Sequence, residues 1–346
     1  MINKEFLHAL LSAPSPSGYE TPCVEVFDRH LAAWAKKEIT DNTGNSIFSV
    51  GKEDAPIKIM ISAHIDEIAM LVQSIDDKGF IHFVSDGGID KKTLPGSKVK
   101  IMTDNGEVYG VIGKSAIHLE KGEDKDKALD IKDLKIDIGA ETKEEAAALV
   151  SVGDPILVDA MPIDIGQNRV TGRGLDDKAG IFVVAEVIKE LHRRGLNKVK
   201  VYAVACTQEE TTASGAVISG ARIDPDYSID FDVTFSTDDG HADPNEWGDI
   251  KLGNGGCIAH GVNCYPPLVK LIKEECVNNS IPFQEFIAPA WGTDTVHIKQ
   301  SASNAKTTLL SIPNRNMHTT AEVCDYRDLQ SLVDMTVAAI LRIDRS

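Results

Sequence analysis

The sequence predicts an α/β fold: a mixed sheet with helices on both faces, interrupted by a small inserted β-barrel. Three observations predict it. Apolar strands alternate with amphipathic helices near both ends of the chain. The stretch 68–165 instead carries short strands divided by turn residues, the texture of a small barrel. At 346 residues the chain is also long enough for about two domains. The expected division is one discontinuous α/β domain, 1–67 with 166–346, and an inserted β-rich domain, 68–165.

The elements follow in order. Residues 4–12 read as a helix, ended by the breaker APSPSG. A second helix is expected over 21–37, where Val24, Phe27, Leu31 and Trp34 recur at three- and four-residue steps. Strands follow at 46–50 and 57–63. The latter, IKIMISA, is almost wholly apolar, as a strand buried on both faces must be. The insert reads as strands AMLVQSI, FIHFVS, SKVKIM, EVYGVIG and KIDIG, with turns DDKG and TDNG and one short helix, TKEEAAALV. Helix 176–194 restores the α/β pattern. Strands VKVYAVACT and SIDFDVTFS, helix 266–277, strand KTTLLSI and helix 326–343 complete it.

Composition excludes several classes. The net charge of −17 repels phosphate backbones, so no nucleic-acid partner is expected. No apolar run reaches the roughly 18 residues a membrane span needs, and the N-terminal stretch reads as an amphipathic helix rather than a signal peptide. The six cysteines form no CxxC pair and read as buried, reduced thiols of a cytoplasmic protein.

Acidic and histidine residues sit where the apolar strands run out, which is where open α/β sheets bind ligands. His64 and Asp66 follow IKIMISA, Asp176 and Asp177 follow TGRGL, and Glu209 and Glu210 follow VKVYAVACTQ. Asp232 interrupts SIDFDVTFS, and His318 follows TLLSI and a turn. Carboxylates gathered without Lys or Arg repel one another, and a divalent cation removes the conflict. Mixed imidazole and carboxylate donors suit Zn²⁺, Co²⁺ or Mn²⁺. The set is large enough for two ions about 3.5–4 Å apart sharing one carboxylate, with another carboxylate left as a base for an activated water. In the HID segment, residues i and i+2 face the same way, so Asp66 can orient the His64 ring. Neighbours Glu209 and Glu210 point apart, so one can bind metal while the other faces water.

These segments together resemble the M42 family of metallo-aminopeptidases, the tetrahedral or deblocking aminopeptidases, some of whose members carry the label endoglucanase M. The matching segments are SGYE, HIDEIAM, GRGLDDKAG, TQEE, PDYSIDFDVT, WGTDT and IPNRNMHTTAEV, in the family's order and across nearly the whole chain. The resemblance implies a zinc-peptidase-like α/β/α catalytic domain and two divalent ions per subunit, Zn²⁺ or Co²⁺. It assigns His64 and Asp232 to one ion, Glu210 and His318 to the other, and Asp176 to both. Glu209 would be the general base that activates a metal-bridging hydroxide, and Asp66 would orient His64. Asp177 would follow a cis Asp–Asp peptide. Gly292, Thr293 and Asp294 would line the substrate pocket, and Asp294 serves equally well as a helix cap. The insert would build dimers and a twelve-subunit tetrahedron.

The implied activity is removal of N-terminal residues from peptides. The nearest rival is a deacylase or dipeptidase sharing the same chemistry. A glycosidase needs two carboxyls astride a bond, about 5–9.5 Å apart, and adjacent Glu209 and Glu210 do not straddle one. A non-catalytic homologue would lack a ligand or the base, and neither is missing. The sequence departs from the family beside the site: Thr211 to Gly215 replace the usual stretch after TQEE, His118 follows Ser-Ala-Ile, and 236–249 (STDDGHADPNEWGD) is unusually rich in Asp. Those changes bear on substrate preference rather than on the metal ligands.

Overall fold

A computed structural model describes residues 2–119, 129–288 and 292–346. The chain opens with helices α1 (Lys4–Ser12) and α2 (Thr21–Leu31). Strands β1 (Lys36–Thr40), β2 (Ser46–Gly51) and β3 (Ile57–His64) lead into the middle segment. That segment contains β4 (Ala69–Ile75), β5 (Ile81–Asp86), β6 (Lys98–Thr103), β7 (Gly106–Ile112), β8 (Ile136–Asp137), helix α3 (Lys143–Ala147) and β9 (Pro155–Val158). Next come β10 (Ile163–Ile165), β11 (Arg169–Gly172), α4 (Leu175–Arg194), β12 (Val199–Cys206), α5 (Ser214–Ile223), β13 (Tyr227–Phe235) and α6 (Pro244–Trp247). The last part holds β14 (Gly256–His260), α7 (Pro266–Asn278), β15 (Phe283–Ile287), α8 (Asp294–Ser301), β16 (Lys306–Asn314), β17 (Glu322–Asp325) and α9 (Tyr326–Arg345).

The main sheet is mixed, in the order β1-β2-β12-β3-β13-β16-β14-β15. Its centre, β12, β3, β13 and β16, is parallel throughout. Alternation along β3 explains why IKIMISA is apolar on both sides. Ile59, Ile61 and Ala63 join the core under α4 and α9, while Met60 packs with Val204, Cys206, Ala216 and Ile298 under α5 and α8. Because the four central strands are parallel, their carboxyl ends at Cys206, His64, Phe235 and Asn314 open on one edge. A second, three-stranded sheet pairs β10, β11 and β17.

Strands β4-β5-β8-β7-β6-β9 close into a barrel. Its interior is filled by Met70, Val72, Ile81, Phe83, Val99, Ile101, Ile112, Ile136 and Ile156. Every one of those side chains comes from an inward-facing strand position, as barrel alternation requires.

The structure corrects the expected helix over 21–37. It stops at Leu31, and Lys36–Thr40 forms the edge strand of a hairpin with β2. The turn between them decides this. The Asp41 carboxylate accepts the backbone N–H groups of Thr43 and Asn45 and the Asn45 side-chain amide, and Lys37 reaches back to Asp28. These long-range contacts outweigh the helical spacing of Trp34. Helix 176–194 is also less regular than expected. Asp176 and Asp177 have non-helical backbone angles, and the peptide between them is cis.

Candidate active site

The predicted residues converge on the carboxyl edge of the central strands. His64 ends β3, Asp176 opens α4, Glu209 and Glu210 follow β12, Asp232 lies on β13, and His318 follows β16. The two oxygens of Asp176 face two imidazoles. Oδ1 is 3.0 Å from His64 Nε2, and Oδ2 is 3.3 Å from His318 Nε2. Glu210 Oε2 lies 3.6 Å from His318 Nε2, and Glu209 Oε2 lies 4.0 Å from His64 Nε2. Donor atoms of His64, Asp176 and Glu210 all fall within 4.8 Å of one another, a grouping able to hold a metal ion. Asp232 lines the same cavity, of about 660 Å³, together with Asp176, Glu209, Glu210 and His318.

Backbone hydrogen bonds hold these side chains. Asp66 does more than its sequence position suggests. Its backbone carbonyl is 3.1 Å from His64 Nδ1 and its carboxylate 3.5 Å. That carboxylate also accepts the N–H groups of Glu209 (3.0 Å) and Glu210 (3.1 Å) and the Ser17 hydroxyl (2.6 Å). Asp66 therefore ties the HID strand end to the TQEE turn, which Gln208 bends with a positive φ of 63°.

Two positioning groups were not singled out from sequence. Glu322 accepts the backbone N–H of Asp176 (3.1 Å) and of His318 (3.0 Å), so one carboxylate fixes two of the site's turns. Gly88, after β5, offers its carbonyl to His318 Nδ1 at 3.0 Å. With Nδ1–H donated there, Nε2 is the nitrogen turned toward Asp176 and Glu210. A Cβ at Gly88 would lie 2.9 Å from that Nδ1. Glu322 lies inside a recognised segment, but no local signal marks Gly88, whose contact spans 230 residues.

The electrostatics are those of an anion-rich cleft. Among the described residues, four carboxylates and no Lys or Arg line the cavity. Burial pushes Glu209 up to about 10 against the pull of His64. Burial and Asp176 push Glu210 up to about 8 and Asp232 up to about 7. Asp176 alone is held below the usual carboxylate range: burial opposes its ionisation, but hydrogen bonds from His318 and His64 prevail. The hydrogen bond to Asp176 raises His318 to about 10. A donor set of two imidazoles and several reluctant carboxylates fits a divalent cation, which supplies the missing positive charge.

Gly292 and Thr293 line the cavity. Asp294 does not. It sits in the first turn of α8, 3% exposed, with neither carboxylate oxygen hydrogen-bonded. Trp291 of the same motif lies outside the described residues. Beside the site, buried Glu67 takes Lys178 Nζ at 2.8 Å and pairs with Arg173. Those cations hold Glu67 down to about 2 despite its burial.

Residues 44–335 match the family described as M42 glutamyl aminopeptidase. The chain is 30% identical to a lysyl aminopeptidase of Pyrococcus furiosus, over 98% of this chain and 97% of that one. A TET aminopeptidase from a marine sediment Thaumarchaeota archaeon superposes with a TM-score of 0.93 at 27% identity, covering 99% and 96% of the two chains. The TET1 peptidase of Pyrococcus horikoshii, described as assembling into a tetrahedron or a large octahedral shell, gives a TM-score of 0.86 at 31% identity, covering 97% and 98%.

Proposed function

The chain belongs to the M42 glutamyl aminopeptidase family and is a peptidase; from that premise we propose that it removes N-terminal residues from peptides at a two-metal centre. The observation that carries the two-metal reading is Asp176, whose oxygens face His64 and His318 separately. A carboxylate so placed could serve two ions at once, and the remaining donors would divide about it. His64 and Asp232 would hold one ion, Glu210 and His318 the other. Zn²⁺ and Co²⁺ both suit these donors. When bound, such ions supply Lewis acidity to the scissile carbonyl and acidify a water.

The protein's own groups do the rest. Glu209 faces the cavity without a ligand's role. It takes the water's proton and passes it to the leaving amine. Asp66 holds the backbone of both glutamates, so it sets the base and one ligand together. Gly88 and Glu322 fix the ring and the backbone of His318. Gly292 and Thr293 are pocket walls. Segment 68–165 would be the assembly domain, and the chain would form homo-oligomers, dimers building to a dodecamer, in the cytoplasm.

Zinc titration of the stripped protein tests the centre. The unaltered chain and Glu209→Gln should each bind two equivalents, and Asp176→Ala should lose at least one. A single equivalent in the unaltered chain would contradict the two-metal reading.

A further inference from the structure

The SGYE segment, residues 17–20, has no place among the proposed ligands or the base. It forms the turn between α1 and α2 and lies behind the candidate site. Bonds beside it dock the turn there. The Ser15 carbonyl accepts the Glu67 N–H at 2.9 Å, and the Ser15 N–H donates to Glu67 Oε1 at 3.0 Å. Glu67 follows Asp66, so the turn is fixed against the end of the HID strand.

Two buried side chains of this turn reach the backbone of the site. Ser17, 8% exposed, donates its hydroxyl to Asp66 Oδ2 at 2.6 Å. The same oxygen accepts the Glu210 N–H, and Oδ1 accepts that of Glu209. Glu20, 5% exposed, stands at the N-cap of α2, yet its carboxylate makes no capping bond to that helix. It turns back instead, taking the Gly18 N–H at 2.8 Å and facing the N–H of Gln208. Burial pushes Glu20 up to about 7, and those N–H groups oppose it.

Three successive N–H groups, of Gln208, Glu209 and Glu210, are thus turned to two buried carboxylates. Such a run of N–H groups is a concavity suited to anions. Gln208 needs the restraint. Its φ of 63° lies in the left-handed region, which a non-glycine residue holds at a cost. With these three groups held, the turn keeps one geometry, and that geometry aims both glutamates.

We propose that Ser17 and Glu20 are positioning residues for the aminopeptidase reaction: Glu20 sets the turn that carries Glu209, and Ser17 sets Asp66 and, through it, His64. The inference rests on the two-metal aminopeptidase reading and deepens it. Neither side chain lines the cavity, so both act through the groups they hold.

The test uses the full chain with Glu20→Gln, Ser17→Ala and Ser17→Thr. Glu20→Gln keeps the size of the side chain and replaces one acceptor oxygen by a donor. On the best-cleaved of a panel of aminoacyl anilides its kcat should fall about 10-fold, with KM within about two-fold. Ser17→Ala should weaken zinc about 10-fold in competition with a chelator, and Ser17→Thr, which keeps the hydroxyl, should restore most of that loss. Tyr19→Phe is the control. It cuts the same turn's 3.0 Å bond to the Gly153 carbonyl and should leave kcat and zinc affinity unchanged. If Glu20→Gln and Ser17→Ala lower only the Tm, the turn is a structural brace and the proposal is overturned. If the unaltered chain cleaves no anilide, the aminopeptidase reading fails by itself, and the visible spectrum of the Co²⁺-loaded protein decides the proposal. A spectrum altered by Ser17→Ala and Glu20→Gln but not by Tyr19→Phe supports it, and three unchanged spectra overturn it.

Discussion

Asp66 and Glu209 are adjacent in space and separate in proposed role, and substitutions should tell them apart. Glu209→Gln would keep the proposed ligand set and remove the proposed proton carrier. Its kcat should fall by about 10²–10⁴-fold with bound metal unchanged, checked by steady-state kinetics and metal analysis on one sample. Asp66→Ala removes the acceptor of two backbone N–H groups and a hydroxyl. Metal affinity should fall by about 10–100-fold, read by competition with a chelator. Titration gives a third expectation. Glu209, Glu210 and Asp232 have folded-state pKa values raised to about 10, 8 and 7. A raised value means stability that is full below the unfolded carboxylate pKa and lost as pH climbs through the folded one. The His318 shift has the same sign, and the lowered value of Asp176 acts only in acid. Metal-stripped protein should therefore lose thermal stability between pH 5 and pH 8, and zinc should restore most of it at pH 8. A metal-free Tm that rises across that range would refute the electrostatic account. At this scale the sequence was informative because most site residues follow or interrupt an apolar strand, while Asp176 opens α4. Gly88 was not legible, since nothing local distinguishes a glycine that meets a histidine ring from one that makes a turn.

Elements carry these residues to one edge, and their anchoring is testable apart from chemistry. The start of α4 is held by Lys178, whose ammonium sits between the Ala13 carbonyl and Glu67. Lys178→Met leaves Glu67 with Arg173 as its remaining cation and the Ala13 carbonyl without its donor. Urea unfolding should record a loss of roughly 1.5–3 kcal/mol, the cost of losing a buried hydrogen bond to a charged group. The central strands were readable from their unbroken apolar runs. The hairpin at Lys36–Thr40 was not, because its residues carry a helical period and its strand identity comes from the Asp41 turn and from pairing with β2. The short strands β10, β11 and β17 escaped for a related reason. Their partners lie far apart in sequence, as Val170 and Cys324 do.

At the scale of the whole molecule, the barrel and the sheet meet at the candidate site, through the Gly88 carbonyl and the His318 ring. The centre is thus completed by a loop of the middle segment, not by the sheet edge alone. Sedimentation should find homo-oligomers, as the tetrahedral and octahedral shells of the Pyrococcus horikoshii peptidase suggest; a monomer at all concentrations would remove the assembly role proposed for 68–165. The central claim is that metal ions and Glu209 together cut the first peptide bond. Its most direct test is an assay of stripped protein reloaded with Zn²⁺, Co²⁺ or Mn²⁺, on paired peptides with free and acetylated N-termini. The account predicts cleavage of the free peptide alone, only after reloading, and none with Glu209→Gln. Cleavage by the stripped protein, or equal cleavage of the acetylated peptide, would contradict it.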